Sequence, residues 1–308
     1  MKIIAFFSIT LLIIFIAGCD NKIPMEEDLW SETVYLVGAK DKIIDKSLNI
    51  GYDKDTIYAS VAISGSQPTK ENVTVQIEEF PWSINEYNRK ERGSDDILYR
   101  ILADGIYSFP QEKVEIKKGE VYGTYPIFID PSTLHVDSLY MLALKLSKTS
   151  HFEMAKEDTV VMIRLNLMNN YSGIYYMDGV IKLVDNPKDS VIYKSPRTLQ
   201  AVTDGNTVRM YHQKNEWSKG STDYRPNFCF NITVNPDNSV TLKPWDQFKL
   251  ISGGGKYYPE MKVYDLWYTF EENGVKKKVR GFVYKERKND DEVRIINDWM
   301  EENRRYDY

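Results

Sequence analysis

Three histidines and 45 acidic residues are the raw material for catalysis in this chain of 308 residues. His135, His151 and His212 are not at metal spacing with one another. Cys229 sits in FCFNITV, where Phe228, Phe230, Ile232 and Val234 alternate with it. A nucleophilic cysteine needs a histidine and an orienting partner, and nothing nearby marks either. There is no G-x-S-x-G elbow. The stretch SGGGKYYPE invites comparison with a phosphate-binding loop. It fails twice, because Leu250 stands at the first glycine position and Tyr257 follows Lys256. It reads as a flexible loop. Asn235, Asp237 and Ser239 alternate as calcium ligands could, but the glycine and distal glutamate of a calcium loop are missing. A β-turn is the simpler reading. Glycosidic cleavage needs two carboxylates flanking one bond, and no such pair is marked. These residues predict no enzyme, no cofactor and no metal site.

The positive signal is aromatic. Tyr211, Trp217 and Tyr224 lie among Asn, Gln, Asp and Arg in YHQKNEWSKGSTDYRP. Tyr257 and Tyr258 follow a glycine run, Trp245 sits in LKPWDQF, and Trp82 in FPWSINEYN. A sugar presents apolar C–H faces and a rim of hydroxyls, and a flat ring beside amides and carboxylates matches both. Binding residues concentrate in loops on a rigid sheet. These seven residues are the candidate ligand contacts, with Trp217 foremost. The competing reading is structural, since most Tyr and Trp of β-domains pack within sheets or cores. For Trp267 and Tyr268, inside an alternating run, the structural reading is preferred.

What must position these residues is a β-rich scaffold. Lys2, an apolar run over Ile3–Ile16 and the small Ala17 and Gly18 form a secretory signal. The run is shorter than the roughly 20 residues a membrane helix needs. The order Ile16-Ala17-Gly18-Cys19 resembles a bacterial lipobox, which implies cleavage before Cys19 and acylation of its side chain and amine. Cys19 is then the lipid attachment point to a bilayer, durable because several acyl chains act together. Residues 1–18 are read as the signal peptide and 19–31 as a tether. The formal net charge of −5 gives no case for nucleic acid. With Cys19 acylated, Cys229 has no partner for a disulfide within the chain.

VYLVG, TIYASVAISG and SLYMLALKLS read as strands. VTVQIEE alternates Val73, Val75 and Ile77 with polar residues, as a half-buried strand does. Short strands between turn signals predict an antiparallel sandwich over 32–167. Trp82–Tyr99 lacks a period of two and has room for a helical turn or a long loop. A boundary near Met168-Asn169-Asn170 precedes a second series of strands over 168–308. Asn273-Gly274 is the strongest hairpin signal in it. Consecutive strands with tight turns predict an up-and-down barrel or meander. Ile295, Ile296, Trp299 and Met300 are spaced as on a short helix lying on that barrel.

The chain resembles two-domain Bacteroidota surface lipoproteins encoded among SusC/SusD-type polysaccharide-utilisation genes. In the first half the resemblance rests on INEYN (Ile84–Asn88), YSFPQEKVEIKKGE (Tyr107–Glu120) and YMLALKLS (Tyr140–Ser147). In the second it rests on NNYSGIYYMDG (Asn169–Gly179), ITVNPDNSVTLKP (Ile232–Pro244) and VYDLWYTF (Val263–Phe270). It implies an all-β protein, an Ig-like β-sandwich followed by a lipocalin-like antiparallel β-barrel. It also implies outer-membrane attachment near glycan capture, with a SusC/SusD-type complex as a partner. It implies no reaction. Some relatives of the first domain precede chitinase-like barrels, but YMDGVIKLVDN turns apolar after Asp178-Gly179 and never reaches the catalytic glutamate of such barrels. Surface-export signals of this kind place a dense acidic run just after the cysteine. Here Asn21-Lys22 intervenes before Glu26-Glu27-Asp28. Asp-Ser/Thr-aliphatic triplets centred on Thr56, Ser138, Thr159 and Ser190 resemble the O-glycosylation sequon of these organisms. The functional expectation is a non-catalytic surface lipoprotein that binds a glycan. An adhesive envelope component that binds a protein is the alternative, and a glycoside hydrolase comes last.

Overall fold

The alternation of small turns and β-branched residues yields strands almost throughout. A computed structural model describes residues 31–304, apart from 66, 203–204 and 213–222. Cys19, the signal and tether sequences up to residue 30, and Trp217 lie outside the described residues.

The first eleven strands are β1 (Thr33–Leu36), β2 (Ile43–Asn49), β3 (Asp55–Ile63), β4 (Val73–Glu79), β5 (Tyr99–Ile101), β6 (Tyr107–Ser108), β7 (Lys113–Ile116), β8 (Tyr122–Ile129), β9 (Leu139–Thr149), β10 (Glu153–Met154) and β11 (Val160–Met168). They form two sheets, ordered β10-β1-β3-β8-β6 and β2-β11-β9-β4-β7, with β5 on β9. Val73 and Val75 face inward as their alternation requires, against Val34, Val61, Val114, Ile127, Leu142 and Ile163. Two-faced alternation specifies which side is buried but not the direction of the neighbouring strand. The sandwich is accordingly mixed where the sequence pattern predicted an antiparallel one. β2 runs parallel to β11 from Ile43↔Met162 to Asn49↔Met168, and β1 and β5 also make parallel pairs. The segment without a period of two is helix α1 (Trp82–Glu91), which buries Ile84.

The second eight strands close a barrel in chain order. They are β12 (Gly173–Leu183), β13 (Ser190–Ala201), β14 (Thr207–Tyr211), β15 (Cys229–Val234), β16 (Ser239–Pro244), β17 (Leu250–Tyr258), β18 (Val263–Glu272) and β19 (Val275–Lys285). Closure pairs β19 with β12 and removes the sheet edges. Asn273 and Gly274 both have positive φ (53° and 78°), the geometry a two-residue hairpin requires. Every second residue of β18 (Tyr264, Leu266, Tyr268, Phe270) points into the barrel core.

SGGGKYYPE is not a loop. Its residues through Tyr258 belong to β17, paired with β18 from Gly253↔Tyr268 to Tyr258↔Val263. Glycine composition suggested a turn, but here the glycines let the paired strand come close. A Cβ on Gly255 would fall 2.1 Å from the Asp265 carbonyl oxygen. Helix α2 (Arg225–Phe228) precedes β15, and helix α3 (Asp290–Asn303) seats Ile296 and Met300 on Val263 and Phe282 of the barrel exterior. Asn289 caps α3 by accepting from the Asp291 amide at 2.8 Å. Among the described residues no helix is long and apolar enough to cross a membrane.

Candidate functional site

The register of the barrel assembles a site that no single stretch of sequence contains. Gly254, Trp267, Arg280 and Val180 are successive cross-strand neighbours on β17, β18, β19 and β12. Beside this row runs a second one, Ser252, Thr269, Lys278 and Lys182. Both rows point outward, because the core takes the alternate residues. A groove of about 350 Å³ lies over them. Val184 and Pro187, from the connection between β12 and β13, contribute one wall.

Trp267 is 43% exposed on this surface. A Cβ on Gly254 would meet its indole at 3.5 Å, so the missing side chain gives the ring room to lie across the sheet. The groove presents one large aromatic face, two hydroxyls and three cations, Lys182, Lys278 and Arg280, with no carboxylate in its lining. Arg280 is held by Asp265 at 2.7 Å. Ile192, 72% exposed and paired with Val180, continues the apolar surface onto β13.

The residues singled out from the sequence do not converge here. Tyr257, a candidate ligand contact in the sequence, is not at the surface. It is 5% exposed, its ring packed 4.7 Å from Tyr264 and 5.2 Å from Tyr171 in the barrel core. Burial pushes its hydroxyl pKa up to about 12. Strand alternation sends it inward and Tyr258 outward. Tyr258 packs edge-on against Trp299 of α3 at 4.8 Å. Trp245 is half-buried between guanidiniums, Arg209 at 4.4 Å and Arg225 at 5.5 Å from its ring centre. Tyr211 ends β14 half-buried nearby, and Tyr224 precedes α2, 45% exposed with its ring 6.4 Å from Phe228. Trp82, 60% exposed at the start of α1, is on the sandwich beside Phe80. Of the four sequon hydroxyl residues only Ser190 is exposed, while Thr56, Ser138 and Thr159 are half-buried. Trp267 sits inside an alternating run, which favours the structural reading. The same alternation carries the signal that finds it, since Leu266 and Tyr268 can be inside only if Trp267 is outside.

Two polar clusters lie away from the groove. Asp137, in the sandwich, joins Arg209 and Arg225 of the barrel, Arg225 at 2.6 Å. Burial acts to raise the Asp137 pKa, but the Arg209 hydrogen bonds and the fields of both arginines and His135 outweigh it, and it is lowered. Gln200 donates across the same joint to the Val136 carbonyl at 3.0 Å. Inside the barrel, Arg197 is 1% exposed and donates to the Tyr193 hydroxyl and the Pro196 carbonyl. His212, fully buried, shares a 2.8 Å hydrogen bond with Tyr268 through Nδ1, while its Nε2 has no partner among the described residues. Burial, with repulsion from Arg197 and Lys277, lowers its pKa to about 3. Cys229 is buried, and desolvation pushes its thiol up to about 12, against any nucleophilic role. Asp237 accepts from the Ser239 amide and hydroxyl in a closed turn. Among the described residues no three His, Cys, Asp or Glu side chains gather as a metal would need.

One family model, described as an N-terminal domain, matches residues 30–153, and another, described as C-terminal, matches 159–284. No curated protein matches the chain. Among solved structures, a Bacteroides ovatus protein of unknown function is 18% identical with a TM-score of 0.56, covering 82% of this chain and 93% of its own. A Bacteroides ovatus multidomain protein including DUF1735 is 18% identical with a TM-score of 0.54, covering 79% and 89%. A Bacteroides thetaiotaomicron auxiliary nutrient binding protein is 16% identical with a TM-score of 0.54, covering 80% and 91%. At these identities the likeness is one of fold. The chain shares the two-domain architecture of these Bacteroides proteins, an N-terminal family domain joined to a C-terminal one.

Proposed function

We propose that this protein is a non-catalytic, lipid-anchored binder of glycans, held at the outer membrane through Cys19 and serving a SusC/SusD-type uptake complex. The observation that carries the binding part is Trp267, a large ring exposed across a rigid four-strand surface with hydroxyls and cations around it. A strand-borne ring is held in place before the ligand arrives, so little ordering entropy opposes binding. The groove lining holds no carboxylate, let alone the facing pair that glycoside hydrolysis uses. The name of one structural neighbour, an auxiliary nutrient binding protein, agrees with this reading.

A glycan array probed with the intact protein tests it. Trp267→Ala should abolish the signal while wild-type folding is retained. Array signals that survive this substitution would locate the site elsewhere, with Trp82 and Tyr224 next in line.

The second reading is a protein-binding envelope component. It is favoured by Ile192, 72% exposed on the outer face of β13 beside Val180. A bare aliphatic surface is more often a protein contact than a sugar platform. A glycan-silent protein that co-purifies with an outer-membrane complex, and loses it on Ile192→Asp, would support this second reading.

A further inference from the structure

The two outer faces of the sandwich are built differently. On the sheet of β2, β11, β9 and β4 the outward residues carry charges that pair across strands, Lys145 with Glu78 and Arg164 with Asp45. Helix α1 covers part of that sheet, with Ile84 seated on Met141, Ala143 and Met162. The other sheet is the reverse. Ile57 and Ala59 of β3, with Tyr125 and Ile127 of β8, take the core positions. Alternation therefore turns Thr56, Tyr58 and Ser60 of β3 outward. On β8 it turns out Tyr122, Thr124, Pro126 and Phe128. No outward residue of β1, β3 or β8 is charged, in a chain of which 28% is charged. Tyr58, Tyr122 and Phe128 are all exposed, and among the described residues their rings have no aromatic or hydrogen-bonding partner. Tyr58 stands opposite Pro126, so the three rings follow one line along β8. From Tyr122 to Phe128 that line is about 20 Å at roughly 3.4 Å per residue. The Ser60 and Thr124 hydroxyls face each other between Tyr122 and Tyr58, and Thr56 lies opposite Phe128.

We propose that this face of the sandwich is a platform for a neutral polysaccharide strand, laid along β8 with its sugar rings on Tyr122, Tyr58 and Phe128. The lack of charge sets the chemistry of the partner. A charged ligand would give up hydration here and meet no counter-charge. A protein partner, or a second copy of this chain, gathers its apolar side chains into one central core. Here hydroxyls split the apolar surface between Tyr122 and Tyr58. A sugar chain offers the matching alternation of C–H faces and hydroxyls. The platform is a second site, on the other domain from Trp267, and shares with the reading above only its ligand class. An open sheet face has no walls, so a short array oligosaccharide gains too little there to be held. A polymer meets all three rings at once, and their contributions combine.

Affinity electrophoresis of the intact protein tests the platform. The gels carry a neutral β-glucan, xylan or galactomannan, with polygalacturonate as the charged comparison. Trp267→Ala, which removes the ring of the groove, should still be retarded by at least one neutral polymer. Adding Tyr58→Ala and Tyr122→Ala to that variant should weaken the interaction at least about tenfold. Tyr58→Phe with Tyr122→Phe should keep it, because the ring faces remain. Thr124→Asp keeps every ring but sets a carboxylate among them, and should weaken retardation as well. Tyr58, Tyr122 and Thr124 are exposed, so these variants should fold, and their melting curves check that. Retardation lost in Trp267→Ala alone would overturn the platform and leave the groove as the glycan site. Retardation that survives the ring substitutions, or that only polygalacturonate produces, would also refute it. Ring substitutions that split a dimer and spare the retardation would assign the face to a second copy instead. A wild type that no polymer retards would remove the platform, and a silent glycan array would remove the groove reading separately.

Discussion

The guanidinium carbon of Arg209 lies 4.4 Å from the centre of the Trp245 ring, and the same guanidinium reaches across the chain to Asp137. Arg209 is 4% exposed, so its charge depends on that carboxylate and on the ring for compensation. Trp245 is thus part of the joint between sandwich and barrel. Removing one partner of a buried pair typically costs about 3–5 kcal/mol, because the other charge stays buried. Asp137→Asn should lower the melting temperature markedly, and Trp245→Ala should lower it as well. An Asp137→Asn protein that melts with the wild type would show the contact to be dispensable.

Trp267 and Tyr257 should respond to truncation in opposite ways. Tyr257→Ala empties a site in the barrel core, and large core aromatic deletions cost about 3–5 kcal/mol. Trp267→Ala removes a ring 43% exposed that lies on the sheet, and should cost no more than about 1 kcal/mol. Denaturant titrations of both variants decide the matter. A large loss for Trp267→Ala would make the ring a packing residue.

His212 should make the barrel acid-sensitive. Its pKa falls from the ordinary 6.5 to about 3 in the folded state, so the unfolded chain binds a proton where the folded one does not. Its neutral burial contributes stability in full above pH 6.5 and loses it as pH falls toward 3. His212→Gln should flatten the decline of melting temperature between pH 6.5 and pH 4 relative to wild type. An unchanged slope would assign the acid sensitivity to other groups.

Cys19→Ala should remove lipid attachment. Metabolic labelling with a palmitate analogue should mark the wild type and spare the variant, and the variant should leave the membrane fraction. Equal labelling of both would refute acylation at Cys19.

Much of the scaffold could be read from local pattern. The alternation of Val73, Val75 and Ile77 predicted a half-buried strand, and both valines are fully buried. Asn273-Gly274 predicted a hairpin, and Ile296 and Met300 predicted a helix seated on the barrel. These succeed because hairpin φ values and helical or strand periodicity are properties of neighbouring residues. The glycine run at Gly253–Gly255 misled because composition measures conformational freedom. In β17 the glycines serve close approach of β18 instead.

The sequence by itself determined that strands dominate, that they fall in two series, and which face of most strands is apolar. Only the tertiary structure decided which polar faces meet. Lys182 and Lys278 are 96 positions apart in the chain, and they stand opposite each other because β19 closes the barrel on β12. Arg209 finds Asp137 because the barrel docks on the sandwich. Tyr257 and Tyr258 look equivalent as text, but strand alternation sends one into the core and the other under α3. Periodicity tells a side chain whether it is inside or outside. Its neighbours are set by register and closure, which depend on the packing of the whole barrel.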